Sequence, residues 1–237
     1  MVNRHGYLCQ QFYVLGMENA LIIGDSGGIG RAVKAALEAK GITVTGLSRS
    51  RDAFDITDEA SVAARLGELD GPFDLILVAS GALEVDGHAP EKTIKALTAQ
   101  GMADQFAVNC IGPALILKHG TGLLPRGRRG VFAVLSARVG SIGDNRLGGW
   151  VSYRAAKAAV NQVVHTAAIE LTRSHKHAIC VALHPGTVQT EFTAKYLARH
   201  PSVPPEQAAG TLLAVIEALT PAQTGGFFDW QGAVVPW

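Results

Sequence analysis

Tyr153-Arg-Ala-Ala-Lys157 sets a phenol and an ammonium four residues apart, and on a helix the i and i+4 positions share a face. An ammonium within a few ångströms stabilises phenolate, drawing the tyrosine down from its usual value of about 10 towards the range useful in proton transfer. The same spacing arises wherever a lysine snorkels past an interfacial tyrosine, so the pair takes its meaning from its company. That company is Gly24-Asp25-Ser26-Gly27-Gly28-Ile29-Gly30. Glycines at 24, 28 and 30 permit a tight turn, close approach of backbone to a pyrophosphate, and close helix-to-strand packing, with the phosphates at the positive end of a helix. A dinucleotide loop explains this run better than a plain turn.

About twenty-five residues further on, Gly46-Leu47-Ser48-Arg49-Ser50 closes a second apolar run. NAD-selective sites place a carboxylate there for the ribose 2′-hydroxyl. Here Arg49, with Arg51 close by and Ser48 able to hydrogen-bond, offers donors suited to a 2′-phosphate. His175 and His177 form a His-x-His pair, but no further ligand stands at credible spacing, so solvated residues are expected and no metal. His184 is read as a strand-end packing residue.

These residues need a scaffold, and the chain supplies one. Short β-branched runs alternate with Ala-rich periodic stretches, which is the βαβ pattern. Strands are predicted at Ala20–Ile23, Ile42–Leu47, Asp74–Val78, Val131–Leu135, Ile179–Leu183 and Phe227–Asp229, with a short seventh at Ala53-Phe54. Helices are predicted at Ile29–Lys40, Thr57–Leu69, Met102–His119, Ser152–Ser174 and Pro205–Ala218, and Pro113 is expected to kink the third. The unbroken apolar character of Leu75–Val78 and Val131–Leu135 indicates strands covered on both faces. The expected fold is a single α/β domain, a doubly wound, mostly parallel seven-stranded Rossmann sheet with helices on both faces, over residues 17–237 behind an irregular N-terminal extension at 1–16.

Composition excludes several alternatives. The 237 residues are 48% hydrophobic and 17% charged, as in an ordinary globular domain. With 21 Lys+Arg against 20 Asp+Glu and no basic stripe, nucleic acid is not an expected partner. No apolar stretch reaches the roughly 18 to 20 residues of a membrane-spanning helix, so no membrane partner is expected. Cys9, Cys110 and Cys180 lie far apart and form no CxxC pair, which fits a reducing cytoplasm.

Taken together, the motifs resemble those of the short-chain dehydrogenase/reductase family, from about Asn19 to Trp237. Gly24, Ser26, Gly28, Ile29 and Gly30 resemble the family's cofactor loop, and Asp55-Ile56 resembles the acidic segment at the adenine. Asn109 resembles the active-site asparagine, while Tyr153 and Lys157 match the catalytic pair. Pro185, Gly186, Val188 and Thr190 resemble the loop that grips the nicotinamide end. Ala79-Ser80-Gly81 departs from the usual Asn-Asn-Ala-Gly but keeps its glycine. Arg138-Val-Gly-Ser-Ile142, Gly148-Gly149-Trp150 and Pro236-Trp237 resemble the C-factor branch. A second departure touches chemistry: the family's serine falls three residues before a glycine, and here Ala137 stands three before Gly140, leaving Ser136 or Ser141 to supply a hydroxyl.

The resemblance implies an NADP(H)-dependent reductase of small carbonyls, or the reverse alcohol oxidation, working as a homodimer or homotetramer. Tyr153, Lys157, Asn109 and Ser136 would carry the chemistry. A cofactor-binding signalling protein with vestigial catalysis is the alternative that Ala137 raises.

Overall fold

The computed structural model describes residues 16–195 and 201–237, so the expected N-terminal extension, apart from Gly16, lies outside the described residues. Six strands form one parallel sheet in the order β2-β1-β3-β4-β5-β6. They are β1 (Asn19–Ile23), β2 (Thr43–Leu47), β3 (Leu75–Val78), β4 (Gly130–Leu135), β5 (Ala178–His184) and β6 (Phe227–Asp229). The chain starts at β1, moves outwards to β2, then crosses back to β3. Where its direction reverses, between β1 and β3, a crevice opens at the carboxyl ends of the strands, as in other doubly wound sheets.

Helices α1 (Gly28–Glu38) and α7 (Pro205–Ala218) cover one face, and α3 (Glu59–Gly67), α5 (Gly112–Gly120) and α6 (Val151–Leu171) cover the other. All residues of β3 and β4 are buried, as their unbroken apolar runs demand. Two cores result. Ile22, Leu75, Val131 and Ile179 meet Val33, Leu37, Leu212 and Ile216 on one side, while Phe132, Val134 and Cys180 meet Val62, Ile116, Val160 and Val164 on the other.

The seventh strand does not form. After β2 the chain turns through a four-residue helix, α2 (Arg49–Asp52), and Ala53 reverses it in the left-handed region at φ 49°. Phe54 still reaches the core, but its backbone runs beside no ladder. Asp58 caps α3 by accepting from the Ala60 amide at 3.0 Å. The Met102 helix begins earlier, as α4 (Ala99–Phe106), and passes through a π turn at Ala107–Ile111 into α5. Pro113, near the start of α5, brings no amide hydrogen to the ladder. The expected kink therefore takes the form of a widened turn, a feature that often marks functional sites.

Candidate active site

A cavity of about 730 Å³ opens along the carboxyl ends of the strands. Its wall brings together Ser26, Gly28, Ile29, Ala79, Ser80, Gly81, Ser136, Tyr153, Lys157, Pro185, Gly186, Val188 and Thr190, residues drawn from five separate segments. Gly24, with φ at +89°, carries the chain out of β1, and a side chain there would strike Ser80. A side chain at Gly28 would run into Thr190, so this glycine keeps the cleft between the first loop and the β5 loop open. Helix α1 starts at Gly28 without a side-chain cap, which leaves its first amides available to an anion.

At the β2 end the donors are arranged differently from expectation. Ser48 is buried, and its amide and hydroxyl both donate to Asp52 Oδ2, at 2.7 and 3.2 Å. Arg51 grips Asp25 with two bonds of 2.9 and 3.0 Å and also reaches Asp52 and the Gly46 carbonyl. Arg49 is exposed and forms no ion pair among the described residues, although its charge helps hold the Asp55 carboxyl low. The larger cause of that lowering is Thr57, whose hydroxyl and amide both donate to Asp55 Oδ1. Ser48, Arg49, Asp55 and Ile56 thus flank the cavity without lining it.

The opposite end is buried. Tyr153 and Lys157 are 5% and 3% exposed. Burial pushes the phenol up and the ammonium down to about 8. The Lys157 Nζ donates to the Leu135 carbonyl at 3.0 Å and lies 5.8 Å from the Tyr153 ring centre. Desolvation of the phenol therefore opposes the depression that the spacing alone suggests. Asn109 sits in the π turn, where its amide nitrogen donates to the Ala82 carbonyl and to Gln105 Oε1, and its oxygen accepts from the Ala82 amide. Its side chain is a staple holding the loop after β3 and forms no part of the cavity wall.

Ser136 and Ser141 differ sharply. Ser136 lines the cavity, and its buried hydroxyl has no partner among the described residues. Ser141 is off the wall, with its hydroxyl accepting from the Asp144 amide at 3.1 Å. Ala137 also lines the cavity, presenting a methyl group where a hydroxyl would be usual. His184 stands beside Ser136 in the β4–β5 register and joins the wall. Burial, aided by Arg138, pushes its imidazole down to about 4.

Three contributors were not singled out from the sequence. Arg31 lines the cavity one turn into α1. Glu91 caps α6 from sixty residues upstream: its carboxylate accepts from the Ser152 amide and hydroxyl, while its carbonyl accepts from the Trp150 amide. Trp150 is thereby held at φ 52°, and its ring meets Tyr153 edge-on at 6.1 Å. Asp25 is the third. No local pattern marks Glu91, whereas the charged Asp25 inside a glycine loop was a readable oddity.

The fold is a doubly wound sheet with a cleft at its carboxyl edge, and sequence comparison gives its family. The family model described as short chain dehydrogenase matches residues 53–200, and the chain belongs to that family. It is 32% identical over 206 residues to the 1-hydroxy-2-glutathionyl-2-methyl-3-butene dehydrogenase of Rhodococcus sp. (strain AD45), covering 86% of this chain and 84% of that one. It is 35% identical to the C-signal of Myxococcus xanthus over 139 residues, 57% of this chain and 78% of that protein. Among solved structures, the NADPH-bound carbonyl reductase from chicken fatty liver superposes with a TM-score of 0.77 at 24% identity, over 93% and 94% of the two chains. Carbonyl reductase Sniffer of D. melanogaster gives 0.79 at 21% identity, over 93% and 100%. No helix among the described residues is long and apolar enough to cross a membrane.

Proposed function

We propose that residues 17–237 form one NADP(H)-dependent oxidoreductase domain that reduces a small carbonyl compound or oxidises the matching alcohol. The observation that carries this reading is the convergence of Tyr153 and Lys157 on the same cavity as the uncapped start of α1. The site fits a nicotinamide dinucleotide: the Gly28–Thr190 gap is a cradle that any side chain would fill, and the Ser136 hydroxyl is a buried polar atom lacking a partner. The solved neighbour that holds NADPH supports the choice of cofactor.

When bound, a nicotinamide supplies or accepts the hydride. Tyr153 would donate its phenolic proton to the substrate oxygen, and Lys157, on the same helical face, would favour phenolate as that proton leaves. Ser136 would donate to the carbonyl oxygen and orient it. Asn109 would keep the loop at Gly81 in place, since Gly81 lies against both the Asn109 oxygen and the Lys157 ammonium. Gly28, the α1 amides and Thr190 would hold the cofactor, with Arg49 beside the adenosine 2′-phosphate.

Ala137 favours a second reading, a cofactor-binding signalling protein without turnover, and the similarity to C-signal points the same way. Absorbance assays with NADPH separate the two. Aldehydes, ketones and quinones with NADPH, and a glutathione-conjugated homoallylic primary alcohol with NADP+ in the oxidative direction, should show turnover by the enzyme. Tight binding with no turnover on the whole panel would establish the alternative.

We further propose a homodimer or homotetramer in a reducing cytoplasm. The shallow groove between α5 and α6, with Leu117 and Val163 in its wall and Ile169 exposed on α6, supports the first point. Light scattering showing a monomer at micromolar concentration would overturn it. Cys110 and Cys180, both buried and unpaired, support the second.

A further inference from the structure

We propose that Asp25 is a specificity-determining residue, which tempers the preference for NADP(H) by engaging Arg51 in place of the cofactor. The inference rests on the reading of the cleft as a nicotinamide dinucleotide site. In such a site the adenosine ribose lies between the β1 loop and the end of β2. Two arginines stand just after β2, Arg49 and Arg51, and of the two only Arg51 is tied down among the described residues.

The tie is thorough. Asp25 is buried, its side chain 1% exposed, while that of Arg51 is 49% exposed. Nη1 and Nη2 of Arg51 donate to the two oxygens of Asp25. Nη2 also donates to the Gly46 carbonyl at 2.6 Å and to Asp52 Oδ2 at 2.8 Å, and Nε donates to Asp52 Oδ1 at 3.1 Å. A guanidinium has five N–H donors, so little remains for a phosphate. Lys34 adds a third cation contact to Asp25 at 3.1 Å. Gly46 belongs to the same device, because a side chain there would strike the Asp25 carboxylate. Asp25, Asp52, Arg51 and Lys34 together carry no net charge, which leaves Arg49 to meet a 2′-phosphate.

Neutralising Asp25 adds one net positive charge beside the ribose and frees two Arg51 donors. Removing Arg51 adds a net negative charge instead. The two changes therefore move selectivity in opposite directions, which a purely structural ion pair would not do.

The test is fluorescence titration of NADPH and NADH against the full-length protein, with melting temperatures recorded without cofactor. Asp25→Asn should tighten NADPH about five-fold and leave NADH unchanged, and the gain should shrink at high salt. Arg51→Met should weaken NADPH by a similar factor, and the double variant should return near the wild-type ratio. Should Asp25→Asn fail to fold, Asp25→Ser and Arg51→Met, which alters a half-exposed side chain, read the same coupling. An unchanged NADPH-to-NADH ratio, or a shift in one direction in both single variants, overturns the proposal. If wild type binds the two cofactors equally, or neither, the NADP(H) reading itself falls. If wild type prefers NADPH and Arg49→Ala abolishes that preference while the Asp25 and Arg51 variants do nothing, only the role of Asp25 is lost.

Discussion

At the proposed adenosine end of the cleft, one buried carboxylate and its partly exposed partners work in a network: Asp25 and Asp52 share Arg51, Lys34 supports Asp25, and Arg49 has no ion pair among the described residues. At the other end, Tyr153, Lys157, Ser136 and Asn109 are all buried, and the Ser136 hydroxyl has no partner among the described residues. The contrast fits the task proposed for each end. Selecting between two cofactors needs a field that solvent only partly screens, whereas moving a proton needs groups whose pKa values respond to desolvation. Substitutions at the buried end should therefore change rate and leave affinity alone, and those at the exposed end should do the reverse.

The largest expected effect is that of Tyr153→Phe, which removes the proton donor. Turnover should fall by about 10² to 10⁴-fold with NADPH titrating as in wild type. Robust reduction by this variant would erase the distinction between the two ends. Ser136→Ala should lower kcat about 10²-fold if its hydroxyl is the carbonyl donor, and Ser141→Ala should change it little, since that hydroxyl serves the Asp144 turn. Equal losses in both would move the contact away from Ser136. At the exposed end, Arg49→Ala should weaken NADPH binding by about 1.5 to 3 kcal/mol without lowering kcat at saturation; titration with NADH supplies the control.

Three smaller effects sharpen the comparison through pH and helix capping. With Lys157 held down to about 8, its ammonium is lost as pH rises through that value, so kcat/KM for reduction should decline above about pH 8. The burial of His184 has the opposite range. Its imidazole is held at about 4 against an ordinary 6.5, so between those values the unfolded chain binds the extra proton and stability falls as pH drops. His184→Gln should flatten that loss, by at most about 3 kcal/mol, in urea melts from pH 7 to 4. Glu91→Ala should cost about 1 kcal/mol by uncapping α6, with kcat lowered more than NADPH affinity because the helix start carries Tyr153.

Strands β3 and β4 were legible because both their faces are apolar, and the parallel arrangement followed from the βαβ alternation. Ala53-Phe54 misled because burial of Phe54 requires only a side chain pointing inwards, not a paired backbone. The i, i+4 rule placed Tyr153 and Lys157 on one cavity wall, and the glycines of the first loop stand where a close approach requires them. Ser48 could not be judged from its neighbours, since its hydroxyl answers to Asp52 only once α2 folds back. The role of Asn109 as a staple likewise depends on a π turn, which no periodicity announces.

The near-contact between Gly28 and Thr190 also bears on how the protein is made. The first cofactor loop is in place once β1, β2 and β3 pair, but the residue that faces it across the cleft follows β5, about 160 residues later in synthesis. A chain still on the ribosome before Thr190 emerges would hold half a cradle, with its Gly-rich turn open to solvent.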